Sequence, residues 1–276
     1  MMLKTTQKVS LYFVMSIIAV LQLFPLYWLI VSAFKDNSEI IGEAVWALPK
    51  VWRFDNFVEA WISAKVNQYF FNSVLVTIVT LCCVLLLSSM MAYAVTRMRF
   101  RWNNLILFIL LMGVMVPIHA TLIPLFMILK NLGILSSRLS IIMPYIAVNL
   151  PIGVYILSAF LRSMPKELEE AAFMDGCGVL KSFFKVVLPL LKPPLASVAI
   201  FVFLAVWNEL LMAATFIQKD TLRTLPLGLM NFSGQYSISW GPLAAAMVIS
   251  TIPIILAYVL FSEQMEKSFT AGSILK

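Results

Sequence analysis

Six charge-poor windows follow one another along this chain, and each holds the roughly 20 residues that an α-helix needs to cross hydrocarbon. The first is expected at about Leu11 to Val31, and the second inside Val66 to Thr96, starting near Phe71. The third runs from about Asn104 to Leu129 and the fourth from about Leu139 to Leu161. The fifth lies within Pro193 to Gln218, and the sixth runs from about Trp240 to Ser262. Backbone polar groups must find partners inside lipid, so these runs cannot be open sheet. The ten-residue alternation of a membrane barrel is missing too. The expected fold class is an all-α polytopic membrane protein with six transmembrane helices.

Composition agrees. Hydrophobic residues make up 62% of the 276, and charged residues only 12%, about half the usual share in a soluble domain. The net charge of +7 does not imply a nucleic-acid partner, because the basic residues sit in short segments between spans, where anionic membrane lipid explains them. Twelve of the twenty Lys and Arg fall on the side of the N-terminus, among them the cluster Arg97, Arg99 and Arg101. Both termini are therefore expected in the cytoplasm. The first run, Val9 to Phe34, is too long for a cleaved signal core and reads as a retained span.

Metal and disulfide chemistry find little here. Cys82, Cys83 and Cys177 have no metal-ligand spacing, and His119 is the one histidine. His119 lies between Pro117 and Pro124, where a bent helix leaves carbonyls for it to satisfy. The loop from Lys35 to Tyr69 carries Trp46, Trp52, Phe54, Phe57 and Trp61, which suit either headgroups or a partner surface.

The connection between the fourth and fifth spans, residues 162–192, is the longest well-charged stretch on the cytoplasmic side. Pro165 fits the start of a helix, and Glu167, Glu169 and Glu170 follow near its positive dipole end. Leu168, Ala171 and Ala172 are expected to share one small apolar face. Gly176 and Gly178 then permit a turn, and a second helix begins near Val179, to be ended or kinked by Pro189. A short rigid helix with a face of small side chains suits a groove in a cytoplasmic partner. Attached to two spans, it would pass that partner's movement into the membrane.

Glu170-Ala171-Ala172, Asp175-Gly176 and then Leu188-Pro189 resemble the EAA signature of bacterial ABC importer permeases. Over nearly the whole chain the sequence resembles the carbohydrate-uptake permeases of the maltose and multiple-sugar type, in their shorter, MalG-like form. The landmarks are Phe71-Asn72-Ser73, Ala92-Tyr93-Ala94 with Arg97-Met98-Arg99-Phe100, Pro117 through Phe126, Asn131-Leu132-Gly133, Pro144-Tyr145, Trp207-Asn208-Glu209, Thr224-Leu225-Pro226, Gly241 and Thr270-Ala271-Gly272. Cys177 departs from the pattern, where alanine is frequent, but it is also small. The resemblance implies a type I importer permease fold, with residues 1–276 as one transmembrane domain. Its core spans would be 71–262, with 11–31 as an additional N-terminal span and 162–192 as the coupling region.

It also implies a second, non-identical, MalF-like permease subunit, two cytoplasmic ABC ATPase subunits, and an extracellular or periplasmic solute-binding protein, all at the bacterial cytoplasmic membrane. Glu170, Ala171, Ala172, Asp175, Gly176, Leu188 and Pro189 would couple to the ATPases, which would bind ATP and Mg. No cofactor is expected on this chain, which has no G-x-x-x-x-G-K-[ST] loop to cradle phosphates and is not expected to be an enzyme.

Glu209 is the one acidic residue inside an expected span, a position that usually marks a bundle interior, a cavity or a boundary. With Trp207 and Asn208 beside it, it points to a helix interruption, a pathway lining or an interface with the second permease. Tyr145, Asn149 and Tyr155 have polarity that permits lining a passage. The expected function is sugar or oligosaccharide import. The alternatives are a permease for glycerol-phosphate-type or other polar solutes, and a non-transporting membrane scaffold. A proton-driven carrier would need more buried ionisable groups than this chain has.

Overall fold

The computed structural model describes residues 5–42, 46–98, 100–232 and 238–274. All the long elements among them are helices: α1 (Thr5–Ser32), α2 (Val66–Arg97), α3 (Asn103–Met115), α4 (Leu122–Asn131), α5 (Leu139–Ser163), α6 (Glu167–Met174), α7 (Lys192–Trp207), α8 (Leu211–Phe216) and α9 (Trp240–Ile274). Four helices are long and apolar enough to cross a membrane, within α1, α2, α5 and α9. Two sharply bent helix pairs bring the number to six if each counts as one span.

The third expected span is one such pair. Val116 is extended, Pro117 follows, and the helices on either side meet at 93°. Proline removes the donor that would carry the ladder onward, so the bend expected at Pro117 becomes a full break. His119 is exposed on the short turn Ile118–Thr121 rather than seated against freed carbonyls. The other pair is Val179–Leu190 with α7, which meet at 76°. α7 has 16 residues, about 24 Å of rise, which falls short of a hydrocarbon core of roughly 30 Å. After a break at 208–210 the chain continues as α8, so the expected fifth span is itself interrupted.

The chain divides into two compact units. One comprises residues up to Asn67 together with Gly228–Ile252. In it Asn56 ties the loop after α1, donating to the carbonyls of Ala33 (3.0 Å) and Lys35 (2.9 Å). Phe34 gathers the rings of Trp52, Phe54 and Phe57 at 5.0–5.3 Å, yet Trp46, Trp52 and Phe54 keep more than half their surface exposed. The Gly241 N–H donates to Asn37 (3.2 Å) at the start of α9.

The second unit, Gln68–Leu227 with Pro253–Lys276, holds the main apolar interior. Val76 and Val84 of α2, Val154, Leu157 and Leu161 of α5, and Val198 and Val202 of α7 are sealed in it. Lipid is as apolar as these side chains, so helices in a membrane associate by close packing of small residues. Ser88 of α2 meets Gly153 of α5 so closely that a Cβ there would lie 2.9 Å from the serine side chain. The opposite faces carry exposed Leu86, Leu87, Phe108 and Ile109, as suits contact with acyl chains. Arg99 and the terminal Lys276 lie outside the described residues. So do the side chains of Thr270 and Ala271, although their backbone continues α9.

Candidate functional site

α6 begins after Pro165 and Lys166, with Glu167, Glu169 and Glu170 in its first turn, where acidic groups offset the positive end of the helix dipole. Its exit is fixed by backbone geometry. The Cys177 N–H donates to the Ala172 carbonyl and the Gly176 N–H to the Phe173 carbonyl, each at 3.0 Å. This is a Schellman closure, and it needs a left-handed residue at Gly176, where φ is +77°. Gly178, in contrast, is extended at φ −73° and starts the next helical turn, so only one of the two expected hinge glycines uses a conformation that favours glycine.

The two faces of α6 do different work. Glu169 and Ala172 are buried, whereas Leu168, Glu170, Ala171, Phe173, Met174 and Asp175 are exposed, Met174 by 89%. The apolar face expected from Leu168, Ala171 and Ala172 is therefore split: Ala172 packs inward and the other two point out. At the inner face, Arg97 at the end of α2 reaches the Glu169 carboxylate at 2.7 Å and donates to the Met164 carbonyl at 2.8 Å. Tyr93, one turn back on α2, presents its hydroxyl to Glu169 and its ring to Phe183 at 5.3 Å between centroids. In the sequence Arg97 stands out as a topological charge and as part of a family landmark, and nothing in a linear pattern pairs it with Glu169.

Beyond Gly178 the chain widens into a π-turn over Phe183–Val187 before Pro189, whose missing N–H cannot serve an α-helical ladder. Val187 is fully buried, Leu188 is half-buried, and Pro189 is exposed. α6 and this segment thus form one anchored body with an outward apolar and acidic surface.

The second group lies at the break after α7. Glu209 is outside any helix, and its carboxylate accepts the N–H groups of Met212 (2.7 Å) and Ala213 (3.2 Å) at the start of α8. The Tyr145 hydroxyl donates to the same carboxylate. The interruption expected at Glu209 is present, with the acid as its cap. Asn149 donates to the Tyr145 carbonyl (2.8 Å) and Asn208 to the Leu204 carbonyl (2.9 Å), each back onto its own helix. Trp207 is buried between Phe203, stacked at 5.6 Å, and Phe70, edge-on at 5.8 Å. Tyr155 is exposed and stands about 15 Å further along α5 from Tyr145.

The break in the third span opens a hollow of about 660 Å³, lined by Val116, Pro117, Leu125, Pro144, Val148 and Pro151 among others. None of Tyr145, Asn149, Tyr155 or Glu209 lines it. Among the described residues no cluster of His, Cys, Asp and Glu could hold a metal ion.

Residues 84–270 match the sequence profile of the binding-protein-dependent transport system inner membrane component family, and the chain belongs to that family. It is similar to the diacetylchitobiose uptake system permease protein NgcG of Streptomyces coelicolor, 36% identical over 257 residues, covering 92% of this chain and 85% of that protein. It is also similar to the trehalose/maltose transport system permease protein MalG of Thermococcus litoralis, 32% identical over 261 residues, covering 94% and 93%. A solved bacterial ABC transporter involved in the import of the acidic polysaccharide alginate shares the fold, with a TM-score of 0.83 at 21% identity over 96% of this chain and 99% of that one. The chain is thus a permease, a transport subunit of an ABC importer rather than an enzyme, and a component of the inner membrane.

Proposed function

We propose that this permease moves a sugar or oligosaccharide, with residues 1–276 working as one importer transmembrane domain. The uptake systems named for its relatives, for diacetylchitobiose and for trehalose/maltose, support a carbohydrate substrate. The observation that carries the coupling role is the division of α6 into a sealed inner face and an exposed outer one. Glu170, Ala171, Asp175 and Gly176 on the outside, with Leu188 and Pro189 after the turn, form the surface offered to an ATPase subunit, while Ala172 anchors it. Two such ATPases would bind ATP and Mg, beside a second permease and a solute-binding protein on the far side. Both termini then lie in the cytoplasm.

The break at Trp207, Asn208 and Glu209, together with Tyr145 and Asn149, forms part of the passage wall or of the interface with the second permease. Tyr155, exposed on α5, faces lipid or that partner. The test is uptake by proteoliposomes holding the full complex and its binding protein, using a panel of labelled disaccharides and oligosaccharides. ATP-dependent accumulation of at least one sugar is expected. Uptake confined to glycerol phosphates or other solutes would overturn the carbohydrate assignment, and no ATP-dependent uptake of any solute would overturn the importer role.

A further inference from the structure

Among the long helices described, α2 alone has neither proline nor glycine, over 32 residues. α1 carries Pro25, α5 carries Pro144 and Pro151, α9 carries Pro253, and the third span is broken outright. Sharp kinks in helices often arise at such residues, and α2 stays one unbroken helix although Ser88 and Ser89 bond back to the carbonyls of Leu85 and Leu86. Its length, about 48 Å at 1.5 Å per residue, exceeds a hydrocarbon core of roughly 30 Å, so its ends reach both interfaces.

Each end is fastened by buried side chains. At one, Arg97 holds Glu169 of α6. At the other, the Asn72 amide donates to the carbonyls of Thr221 (2.9 Å) and Arg223 (3.0 Å) and accepts from Arg138 (3.1 Å). Ser73 accepts the Leu225 N–H at 2.7 Å, and the Tyr69 hydroxyl donates to Asp220 at 2.9 Å. Asn72 and Ser73 are 5% and 3% exposed. These bonds clasp the segment 220–225, which follows α8 on the side of the membrane opposite α6.

We propose that α2 is a connecting rod that carries displacement of α6 to the far-side segment 220–225, with Arg97 and Asn72 as positioning residues at its two ends. The inference rests on the reading of α6 as the ATPase-facing element. Moving α6 without Arg97 would strand a buried carboxylate, and moving α2 without segment 220–225 would strand the Asn72 amide. Both separations are unfavourable, so the fastenings hold through a stroke, and a helix without a hinge passes it on. Rigid secondary elements joined by hydrogen bonds and salt bridges are among the carriers of coupling between distant sites.

The test uses the assembled transporter with its ATPases in lipid nanodiscs, with Cys82, Cys83 and Cys177 replaced by alanine. A spin label is placed on Thr221→Cys, an exposed position in the clasped segment. Adding MgATP is expected to change its spectrum in this parent. Leu86→Gly with Leu87→Gly puts a hinge at lipid-facing positions and touches neither fastening; it is expected to reduce the change at least fivefold. Leu86→Ala with Leu87→Ala is expected to preserve it. Arg97→Gln, at the far end from the label, is expected to reduce it likewise while ATPase co-purification persists. A full-size response in the glycine variant would overturn the rod and leave the coupling role intact. An unresponsive parent, or ATPases that do not assemble with it, would overturn both.

Discussion

Arg97 and Glu169 meet at 2.7 Å with 6% and 7% of their side chains exposed, so the charge that marks the end of α2 also seats α6. Removing one partner of a buried pair strands the other, at a typical cost of about 3–5 kcal/mol. Arg97→Met is expected to lower the thermal midpoint of the detergent-solubilised complex strongly. Arg97→Met with Glu169→Leu should recover much of that loss, because an apolar pair leaves no uncompensated charge. Thermal unfolding of the two variants beside the parent checks this, and a double variant worse than the single would contradict it.

At Gly176 the obstacle to a side chain is backbone conformation alone. Nothing lies within 4 Å of a Cβ built there, and φ is +77°. Asparagine tolerates this region and β-branched residues do not. Gly176→Asn is therefore expected to keep near-normal ATP-driven uptake. Gly176→Val, with strain of about 1–3 kcal/mol, should distort the exit of α6 and uncouple hydrolysis from uptake. Parallel ATPase and uptake assays on the two variants decide the matter.

Glu209→Ala would leave two backbone N–H groups and the Tyr145 hydroxyl without their acceptor. Unmet buried donors cost about 1–3 kcal/mol, so a lower thermal midpoint is expected. Glu209→Gln keeps an acceptor oxygen and should recover part of the loss. Tyr145→Phe, which removes one donor and leaves the cap intact, should fall closest to the parent. If glutamine behaves like alanine in unfolding scans, the carboxylate does more than cap α8.

Much of this architecture is legible from residue order, because lipid enforces it locally. Long apolar runs, prolines at 117 and 189, and a lone acid at 209 each dictate structure within a turn or two. Gly176 is readable for the same reason, since a left-handed exit favours glycine. What the sequence conceals is pairing across distance. Arg97 with Glu169, and Asn72 with Thr221, depend on which helices pack together, and no periodicity in either segment encodes that. The inner face of α6 is hidden similarly: Glu169 reads as one of three acids at the positive end of the helix dipole, and only the fold sets it apart by burying it against Arg97.

The proposed sidedness has its own test. A membrane-impermeant maleimide applied outside sealed cells is expected to label Thr221→Cys and not Leu180→Cys, both exposed positions, in a background without the native cysteines. The reverse pattern would invert the topology and remove α6 from the cytoplasm.

The most direct measurement is sugar uptake before and after crosslinking Met174→Cys, on the exposed face of α6, to the ATPase in the reconstituted complex. A crosslink is expected to form in high yield and uptake to stop, with recovery on reduction. Full-rate ATP-driven uptake, with no crosslink from Met174 or its exposed neighbours to any nucleotide-binding partner, would contradict it.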